Sequence, residues 1–479
     1  MSANPNSVQP GSAHEFQLLI NGRKVPGAAQ LDVINPATGK VLASCARANR
    51  AQLEQAVAAA KAAFPAWSKQ PIAARRALLL KVATALSERI EEFARLLTQE
   101  TGKPLAAAQR EVKGAIGLTR AYAALDLPTR IIKQTEHGRV VRQQAPLGVV
   151  AAITAWNFPL TLLANKIPPA LLAGNTVVIK PAPTTPLATM LFAELCADIL
   201  PPGVLNLIVD NNDLGSALTE HPDVAKVTFT GSTATGKKVM ASAAGTVKRV
   251  TLELGGNDAA IVLDDANIKE IAPKIYGAAM HNSGQVCIAI KRVFVHDSQY
   301  DAMCEELSKL ASQSVLGDGL EPTTTMGPLQ NQAQFDKVKE FLADAHANGK
   351  VIAGGKVLER EGYFIQPTIV RDIPDSARLV REEQFGPVLP VLRYSDVNDA
   401  IERANSTEYG LGSSVWSADP ERAFEVAQQI GSGTVWVNKH LEVAPEGPFG
   451  GAKQSGFGVE MGQEGLEEFT QVRIINIGK

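Results

Sequence analysis

The chain has 479 residues, which at about 150 residues per domain predicts about three structural units. Hydrophobic residues make up 45% of the sequence, charged residues make up 20%, and the formal net charge is −2. This balance excludes a chain that is disordered throughout. It also gives no electrostatic reason to expect binding to nucleic acid or to an anionic membrane surface.

The first predicted elements lie in the N-terminal quarter of the chain. Residues 1–12 lack the basic and apolar segments of a secretory signal peptide. Residues 16–25 are typical of a β-hairpin that turns at Asn21 and Gly22. Apolar residues at helical spacing predict helices over residues 51–66 and 72–98, and Gly102 is a plausible stop for the second.

From residue 147 onward, short apolar runs alternate with helical stretches. The predicted strands cover residues 148–153, 175–179, 204–209 and 227–230, and the helices between them cover residues 160–172, 186–199 and 214–221. This alternation predicts a parallel sheet with helices on both faces. Prolines and polar residues interrupt the most apolar stretch, so we expect no membrane span.

A second α/β stretch runs from about residue 258 to about residue 438, and the two stretches join near Gly255 and Gly256. The segment over residues 472–477 is strand-like but too short to stand alone. We therefore expect it to pair elsewhere, with another subunit as one candidate partner.

Two glycines follow the strand predicted over residues 227–230. Gly231 and Gly236 have the spacing of a nucleoside triphosphate loop, but Lys238 stands where such a loop needs Ser or Thr. A helix that begins after Gly231 and Ser232 would still suit an anion, with an ordinary strand-to-helix turn as the alternative. The dinucleotide fingerprint Gly-x-Gly-x-x-Gly is absent.

Lys180 follows another predicted strand, at the end of the sheet where α/β proteins bind ligands. A charged residue that merely caps the strand is the alternative interpretation.

The four cysteines, Cys45, Cys196, Cys287 and Cys304, form no Cys-x-x-Cys pair and no paired zinc motif. Their number is too small for a disulfide framework, which favours reduced thiols in the cytoplasm. Cys287 follows a polar loop and is either a small buried hydrophobe or a reactive thiol.

Glu253 stands between two leucines and before two glycines. It points either to solvent from a sheet edge or into the interior, where burial would raise its pKa as a general base requires.

Several short segments occur together in the order and spacing of one known enzyme family. They are Trp156-Asn157-Phe158-Pro159, Ile179-Lys180-Pro181, Phe229-Thr230-Gly231-Ser232, Leu252-Glu253-Leu254-Gly255-Gly256, Gly284-Gln285-Val286-Cys287, Glu383-Gln384-Phe385-Gly386-Pro387 and Pro448-Phe449-Gly450-Gly451 with Lys453 and Ser455-Gly456. Jointly they resemble the aldehyde dehydrogenase superfamily over nearly the whole chain. The resemblance is to its NAD(P)-dependent, hydrolytic, non-acylating members.

This resemblance implies an α/β fold with a variant Rossmann cofactor domain, an α/β catalytic domain and a small β bridging or oligomerisation element. The implied limits are residues 1–122 and 147–254 for the cofactor domain, 255–454 for the catalytic domain, and 123–146 with 455–479 for the bridging element. It further implies a homodimer or homotetramer with a small-molecule aldehyde as substrate and without a metal.

The resemblance also implies the catalytic residues. Cys287 would be the nucleophile that makes the aldehyde carbon tetrahedral, because hydride cannot leave an unmodified aldehyde. The side-chain amide of Asn157, together with the Cys287 backbone N–H, would stabilise the oxyanion. Glu253 would activate the water that hydrolyses the resulting thioester.

Cofactor contacts are implied for eleven residues, which would together hold the adenosine, the pyrophosphate and the nicotinamide ribose of NAD or NADP. These residues are Ile153, Thr154, Trp156, Lys180, Ala182, Pro183, Gly231, Ser232, Leu254, Glu383 and Phe385.

The chain departs from the family pattern at three places. NAD-preferring members usually carry an acid where this chain has Pro183, so we expect both NAD and NADP to be used, with Lys180 available to meet a 2′-phosphate. Asn165 and His281 stand where many members line the aldehyde tunnel with aromatic residues, and His281 is open to a purely structural role. The loop over residues 438–442 is polar, which argues against a purely apolar tunnel.

Three other functions remain open at this point. A CoA-acylating relative would use the same cysteine, but such relatives typically lack the base that Glu253 provides. A cysteine hydrolase would need a Cys–His pair, for which His281 is the nearby candidate. A non-catalytic structural relative would be free to lose Cys287 or Glu253, and this chain has both. The sequence names no particular aldehyde.

Overall fold

A computed structural model describes residues 14–479, so the expectation about residues 1–12 lies outside the described residues. The strands are β1 (Leu18–Ile20), β2 (Arg23–Val25), β3 (Ala29–Asn35), β4 (Lys40–Arg47), β5 (Arg130–Thr135), β6 (Gly138–Pro146), β7 (Val149–Ile153), β8 (Thr176–Lys180), β9 (Leu205–Leu207), β10 (Val224–Thr230), β11 (Arg249–Glu253), β12 (Asp258–Val262), β13 (Ile290–His296), β14 (Lys350–Ala353), β15 (Thr368–Arg371), β16 (Val388–Tyr394), β17 (Tyr409–Gly410), β18 (Gly412–Trp416), β19 (Thr434–Val437), β20 (Ala452–Lys453), β21 (Gly456–Phe457) and β22 (Thr470–Gly478).

The helices are α1 (Arg50–Ser68), α2 (Ile72–Glu88), α3 (Ile90–Thr101), α4 (Leu105–Ala124), α5 (Pro159–Ala173), α6 (Leu187–Ala197), α7 (Gly215–Glu220), α8 (Thr233–Ala244), α9 (Ile268–Met280), α10 (Tyr300–Ser312), α11 (Gln332–Asn348), α12 (Arg378–Arg381), α13 (Val397–Asn405), α14 (Pro420–Ala427) and α15 (Gly462–Glu467). Short 3₁₀ turns cover His281–Gly284 and Asp297–Gln299.

The first large sheet has the strand order β2-β1-β9-β8-β7-β10-β11-β21. Its five middle strands, β9 to β11, run parallel, as the alternation of apolar runs and helices predicts. β7 and β8 are buried along their whole length, which explains their mainly apolar sequences. From β7 the chain continues to β8 and β9 on one side of the sheet, and it then returns to form β10 on the other side of β7. This reversal creates a crevice at the carboxyl ends of β7 and β10, where such sheets bind ligands.

The second large sheet has the order β14-β15-β16-β13-β12-β18-β19, and all of its pairs are parallel except β14 with β15. It begins and ends close to the predicted limits of residues 258 and 438. Its two faces pack into separate apolar clusters, which include Phe341 on one side and Met303 on the other.

The C-terminal segment forms β22 and pairs with β6 of the same chain over nine residue pairs, from Thr470 with Pro146 to Gly478 with Gly138. β5 adds the third strand of this small sheet, in the order β22-β6-β5. All six residues of β5 are exposed. The strand-like tail therefore finds its partner within its own chain, and both outer strands of the small sheet keep a free edge among the described residues.

The predicted hairpin over residues 16–25 is confirmed by the antiparallel pairing of β1 with β2. Asn21 and Gly22 have φ values of 52° and 73°, the pair of positive values that a tight two-residue hairpin turn requires.

The prediction of one long helix over residues 72–98 is wrong, because the helix breaks at Arg89. Arg89 has φ of −121° and ψ of 22°, and its guanidinium pairs with Glu92 at 2.7 and 3.0 Å. The break redirects the chain so that Leu86 before it and Phe93 after it both reach the core. Gly102 ends α3 with φ of 83°, as its role as a stop predicts.

Candidate active site

A cavity of about 710 Å³ opens at the carboxyl ends of β10 and β11. Asn165 and His281, the two predicted tunnel positions, line it. So do nine of the fourteen residues for which the sequence predicts a catalytic or cofactor-binding role. They are Trp156, Asn157, Gly231, Ser232, Glu253, Leu254, Cys287, Glu383 and Phe385. The other five do not line this cavity but follow or end the neighbouring strands β7 and β8. They are Ile153, Thr154, Lys180, Ala182 and Pro183.

A strained loop carries Cys287 into the cavity. Asn282, Ser283 and Gly284 have consecutive left-handed φ values of 49°, 58° and 74°. The Ser283 hydroxyl donates to the Gly327 carbonyl at 2.8 Å, and a side chain at Gly284 would collide with the Gly386 carbonyl. Such backbone strain persists only where the surroundings hold it, and it is common at functional sites.

Lys291 fixes the other end of this loop, and the sequence analysis missed it. Its buried ammonium group donates to the Cys287 carbonyl at 2.7 Å and to the Val286 carbonyl at 2.9 Å. Burial raises the pKa of the Cys287 thiol to about 12, although Lys291 acts in the opposite direction. The resting thiol is therefore protonated, and it needs a proton acceptor or an added positive charge to become a nucleophile.

Glu253 ends β11 and is buried, with an exposed fraction of 5%. Neither carboxyl oxygen has a hydrogen-bond partner among the described residues. Burial raises the pKa of Glu253 well above its usual range, the nearby Glu460 raises it further, and Lys166 lowers it. A buried carboxyl group without partners calls for an explanation, and a general base that faces a cavity supplies one.

The sequence analysis also missed the buried ion pair between Lys166 of α5 and Glu460. Glu460 lines the cavity. Lys166 also donates to the Thr228 hydroxyl at 3.3 Å. A lysine within an apolar helix was the available signal, because a buried ammonium group needs a partner.

Asn157 is held next to the Cys287 loop, between β7 and α5. Its side-chain amide donates to the Gln285 carbonyl at 3.0 Å, and its backbone carbonyl accepts from Lys103 at 2.8 Å. One N–H of an amide group can donate while the other remains for a ligand. The arrangement therefore leaves a fixed donor near the thiol.

The helix α8 presents its N-terminus to the cavity. Ser232 caps this helix by accepting from the Thr235 backbone N–H at 3.3 Å, and its first turn contains no acidic residue. Gly236, the second glycine of the loop-like pattern, lies inside the helix, where a larger side chain would collide with Leu254. The segment is thus a strand-to-helix turn with exposed backbone donors, which suits the diphosphate of a dinucleotide.

Two aromatic rings and a carboxylate line the same part of the cavity. Trp156 and Phe385 meet edge to face, with ring centroids 5.3 Å apart. The Glu383 carboxylate accepts from the Gly256 backbone N–H at 3.0 Å, and a side chain at Gly255 would collide with it. Flat apolar walls beside a hydrogen-bond acceptor suit a heteroaromatic ring attached to a ribose. The residues present therefore fit a nicotinamide dinucleotide.

Lys180 is not available as a free cation, contrary to the sequence interpretation. Its ammonium group pairs with Asp210 at 2.7 Å, and both side chains are buried. Asp210 follows β9, so the two partners come from the ends of neighbouring strands. Ala182 and Pro183 follow β8 and are half-buried.

His281 does not form a catalytic pair with Cys287. Its ring stacks on Phe158 with centroids 5.9 Å apart, and burial beside Lys103 and Arg110 lowers its pKa to about 4. Among the hydrogen bonds of residues 14–479, none joins His281 to Cys287. The geometry leaves the cysteine hydrolase without its Cys–His pair.

Within the described part of the chain, no group of three or more His, Cys, Asp or Glu residues could hold a metal ion. None of the helices between residues 14 and 479 is both long and apolar enough to cross a membrane.

Comparison with known proteins identifies the family that the chain matches. The sequence model of the aldehyde dehydrogenase family matches residues 24–475. The chain is 40% identical over 454 residues to the mitochondrial succinate-semialdehyde dehydrogenase of Arabidopsis thaliana, covering 94% of this chain and 86% of that protein. It is 38% identical over 472 residues to the NADP-dependent succinate-semialdehyde dehydrogenase GabD of Escherichia coli, covering 96% and 98%. The NAD⁺ complex of a Bacillus cereus aldehyde dehydrogenase superposes with a TM-score of 0.95 at 36% identity, covering 97% of each chain.

Proposed function

The chain belongs to the aldehyde dehydrogenase family, and from this premise we propose which of its residues perform the NAD(P)-dependent oxidation of an aldehyde to a carboxylic acid. Cys287 is the nucleophile, Asn157 is the oxyanion donor and Glu253 is the general base. The observation that carries the proposal is the buried Glu253 carboxyl group, without partners, in the same cavity as the Cys287 thiol.

Addition of the Cys287 sulfur to the aldehyde carbon converts the carbonyl oxygen into an oxyanion. The Asn157 amide and the Cys287 backbone N–H stabilise this negative charge until the C=O bond re-forms. When bound, the nicotinamide cofactor supplies the hydride acceptor and a positive charge that favours the thiolate. Gly231, Ser232, Glu383, Trp156 and Phe385 would hold it.

The resulting Cys287 thioester must then be hydrolysed. Glu253 removes a proton from the attacking water, and the acid product leaves as the Cys287 sulfur departs. The raised pKa of Glu253 makes it a stronger base than an exposed glutamate. Within the nearby Lys166–Glu460 pair, Glu460 raises this pKa and Lys166 lowers it.

The experiment that tests this proposal compares the wild-type protein with Cys287→Ala. We expect the variant to lose production of reduced cofactor while it keeps its fold and its cofactor affinity. Cys304→Ala is the matched control, because Cys304 is a buried thiol that packs in the core beside the second sheet. Substantial turnover by Cys287→Ala would refute the mechanism.

A CoA-acylating activity is the second candidate, because it uses the same thiol. The geometry favours water over CoA, since Glu253 is placed as a base for hydrolysis. Turnover of an aldehyde should therefore be independent of added CoA. If turnover requires CoA, the protein belongs instead to the CoA-acylating aldehyde dehydrogenases.

The proposal extends to domain limits, assembly and location. The cofactor domain would comprise residues 1–122 and 147–254, the catalytic domain 255–454, and the bridging element 123–146 with 455–479. The free edges of the small sheet support assembly into a homodimer or homotetramer. All four cysteines are free thiols, which supports a cytoplasmic location.

A further inference from the structure

The residues that line the cavity fall into two groups, according to the elements that carry them. The first group, around the ends of β10 and β11 and around Glu383, is the one proposed for the cofactor. The second group comes from α4, from α5 and from the C-terminal loops. This second group is left for the aldehyde, so an inference about the aldehyde rests on the proposed function.

The wall of the aldehyde side is mainly apolar. Its polar residues include Thr161 and the buried Asn165 of α5, whose side-chain oxygen has no hydrogen-bond partner among the described residues. Leu118 of α4 and Leu162 of α5 face Leu441, Val443 and Phe449 from the loops after β19. A pocket of this kind gains free energy by removing apolar substrate surface from water.

The loop over residues 438–442 contributes to this apolar wall, although its sequence is polar. Leu441 has a φ of 65°, which is strained for leucine. His440, just before it, bonds through Nε2 to the Ile288 carbonyl at 2.8 Å, and the Glu442 carbonyl, just after it, accepts from Trp436 at 2.7 Å. The polar groups on both sides thus anchor the loop while Leu441 lines the cavity.

The charges in the cavity are unfavourable for an anionic substrate. Three carboxyl groups line it, those of Glu253, Glu383 and Glu460. The only lysine or arginine among its lining residues is Lys337, which donates to the Glu383 carbonyl on the cofactor side at 3.0 Å. The low pKa of His281, about 4, keeps that ring neutral. Lys103 and Arg110 lie near His281, but neither lines the cavity, so a carboxylate on the aldehyde would have no cationic partner among the lining residues.

Two glycines of α4 leave open space on the same side. Gly114 and Gly117 lie three residues apart and line the cavity. A methyl group added to either would meet nothing within 4 Å. Since residues three apart share a helix face, the two gaps combine into one opening.

From these observations we propose that the protein oxidises an uncharged, apolar aldehyde that carries an aromatic ring or a medium-length alkyl chain. A carboxylate-bearing aldehyde such as succinate semialdehyde, the substrate in the names of two relatives, is a poor substrate. The apolar wall binds the tail of the aldehyde, and the opening beside Gly114 and Gly117 accommodates its bulk. A carboxylate binds poorly because the lining residues offer it no cationic partner.

The first test isolates the charge. Succinate semialdehyde and its methyl ester, methyl 4-oxobutanoate, differ by one methyl group and one negative charge. We expect kcat/KM to be at least about tenfold higher for the ester and higher again for hexanal and benzaldehyde, because an unpaired buried carboxylate is costly. A kcat/KM for succinate semialdehyde equal to or above that of the ester would overturn the proposal.

The second test measures the effect of the open space beside Gly117 on the choice of aldehyde. Gly117→Leu should lower the ratio of kcat/KM for benzaldehyde to that for propanal by about tenfold, because the leucine side chain fills the gap. Gly277→Leu is the matched control, because Gly277 is also an exposed helical glycine with nothing within 4 Å and does not line the cavity. Leucine is a better helix former than glycine, so neither variant should fail to fold.

Both tests compare the turnover of one aldehyde with that of another. Their failure is therefore distinguishable from failure of the proposed function. No reduction of NAD or NADP with any aldehyde would count against the function itself. An unchanged benzaldehyde-to-propanal ratio in Gly117→Leu, or an equal change in Gly277→Leu, would overturn the assignment of the α4 opening to the aldehyde tail.

Discussion

At the scale of single residues, the interior of the site disfavours the charged forms of its two reacting groups. Burial raises the pKa values of both the Cys287 thiol and the Glu253 carboxyl group. The nearby Lys291 lowers the pKa of Cys287, and Lys166 lowers that of Glu253. Such a balance lets a change in local charge, such as the arrival of a cationic cofactor ring, release a proton without moving the backbone.

Replacement of Glu253 by Gln should separate the two halves of the reaction. The variant should transfer hydride once per active site and then stall as a thioester, because no base activates water. We expect a rapid burst of reduced cofactor and slow steady turnover, measured by stopped-flow absorbance. If the burst itself disappears, Glu253 serves instead to deprotonate Cys287.

In the wild-type protein, hydrolysis needs the ionised form of Glu253. Because its folded-state pKa is raised, the ionised fraction falls as the pH drops through that raised value. Steady turnover should therefore decline at a pH well above the usual range for a glutamate. If the burst of reduced cofactor is unchanged at this pH while steady turnover falls, the group that titrates acts in thioester hydrolysis, as we propose for Glu253.

Replacement of Asn157 by Ala should remove one oxyanion donor. The expected loss in kcat is about 10²–10³, the usual effect of deleting such a donor. The comparison variant is Asn282→Ala. The Asn282 side chain also donates to the Gln285 carbonyl, and to the Asn157 backbone carbonyl, but has no predicted role in the chemistry. An effect of Asn157→Ala on KM alone would contradict the assignment.

At the scale of elements, the ends of neighbouring strands determine the electrostatics of the cofactor crevice. Lys180 ends β8, and Asp210 follows β9 in the adjacent position of the sheet. Their 2.7 Å ion pair neutralises a cation that stands where an α/β sheet holds the adenosine ribose. The Pro183 side chain supplies neither an acceptor nor a charge, so we expect this pair to influence the choice between NAD and NADP.

Replacement of Asp210 by Asn should release the Lys180 charge. We expect the ratio of kcat/KM with NADP to that with NAD to rise by about tenfold, since the ammonium group can then pair with a 2′-phosphate. Asp213→Asn is the control, because Asp213 is exposed and pairs with Arg47 at 2.7 Å. An unchanged ratio in Asp210→Asn, with the fold intact, would place Lys180 away from the ribose.

At the scale of the whole molecule, the small sheet has an exposed apolar surface. On β5, Ile131 and Ile132 are 52% and 55% exposed, and on β22, Ile474 is 46% exposed. Exposed apolar residues beside free strand edges are characteristic of a protein–protein interface.

Replacement of Ile474 by Lys should weaken assembly through this sheet. We expect a shift to a smaller species in size-exclusion chromatography with light scattering, because a charge would be buried in the interface. Val41→Lys serves as the control, since Val41 is a similarly exposed strand residue on β4. An unchanged mass for Ile474→Lys, or a monomeric wild type, would contradict assembly through the β22 sheet.

The family followed from the resemblance of motifs that are spread along the chain. Local patterns in the sequence were sufficient to predict the alternating strands and helices and the hairpin at Asn21 and Gly22. These features depend on residues close together in the chain, where periodicity and turn chemistry act. The break at Arg89 was not predictable in this way, because both of its flanking helices are amphipathic and only the core decides how they bend.

The tertiary structure alone decided the electrostatics of the site. Lys166 and Glu460 are separated by 294 residues, and Lys180 and Asp210 come from different strands, yet each pair meets in the interior. Burial makes such contacts important, because a low-dielectric interior penalises an unpaired charge and strengthens the attraction within a pair. The sequence determined which chemical groups are present, and the packing of distant segments determined which of them are charged and which are free to react.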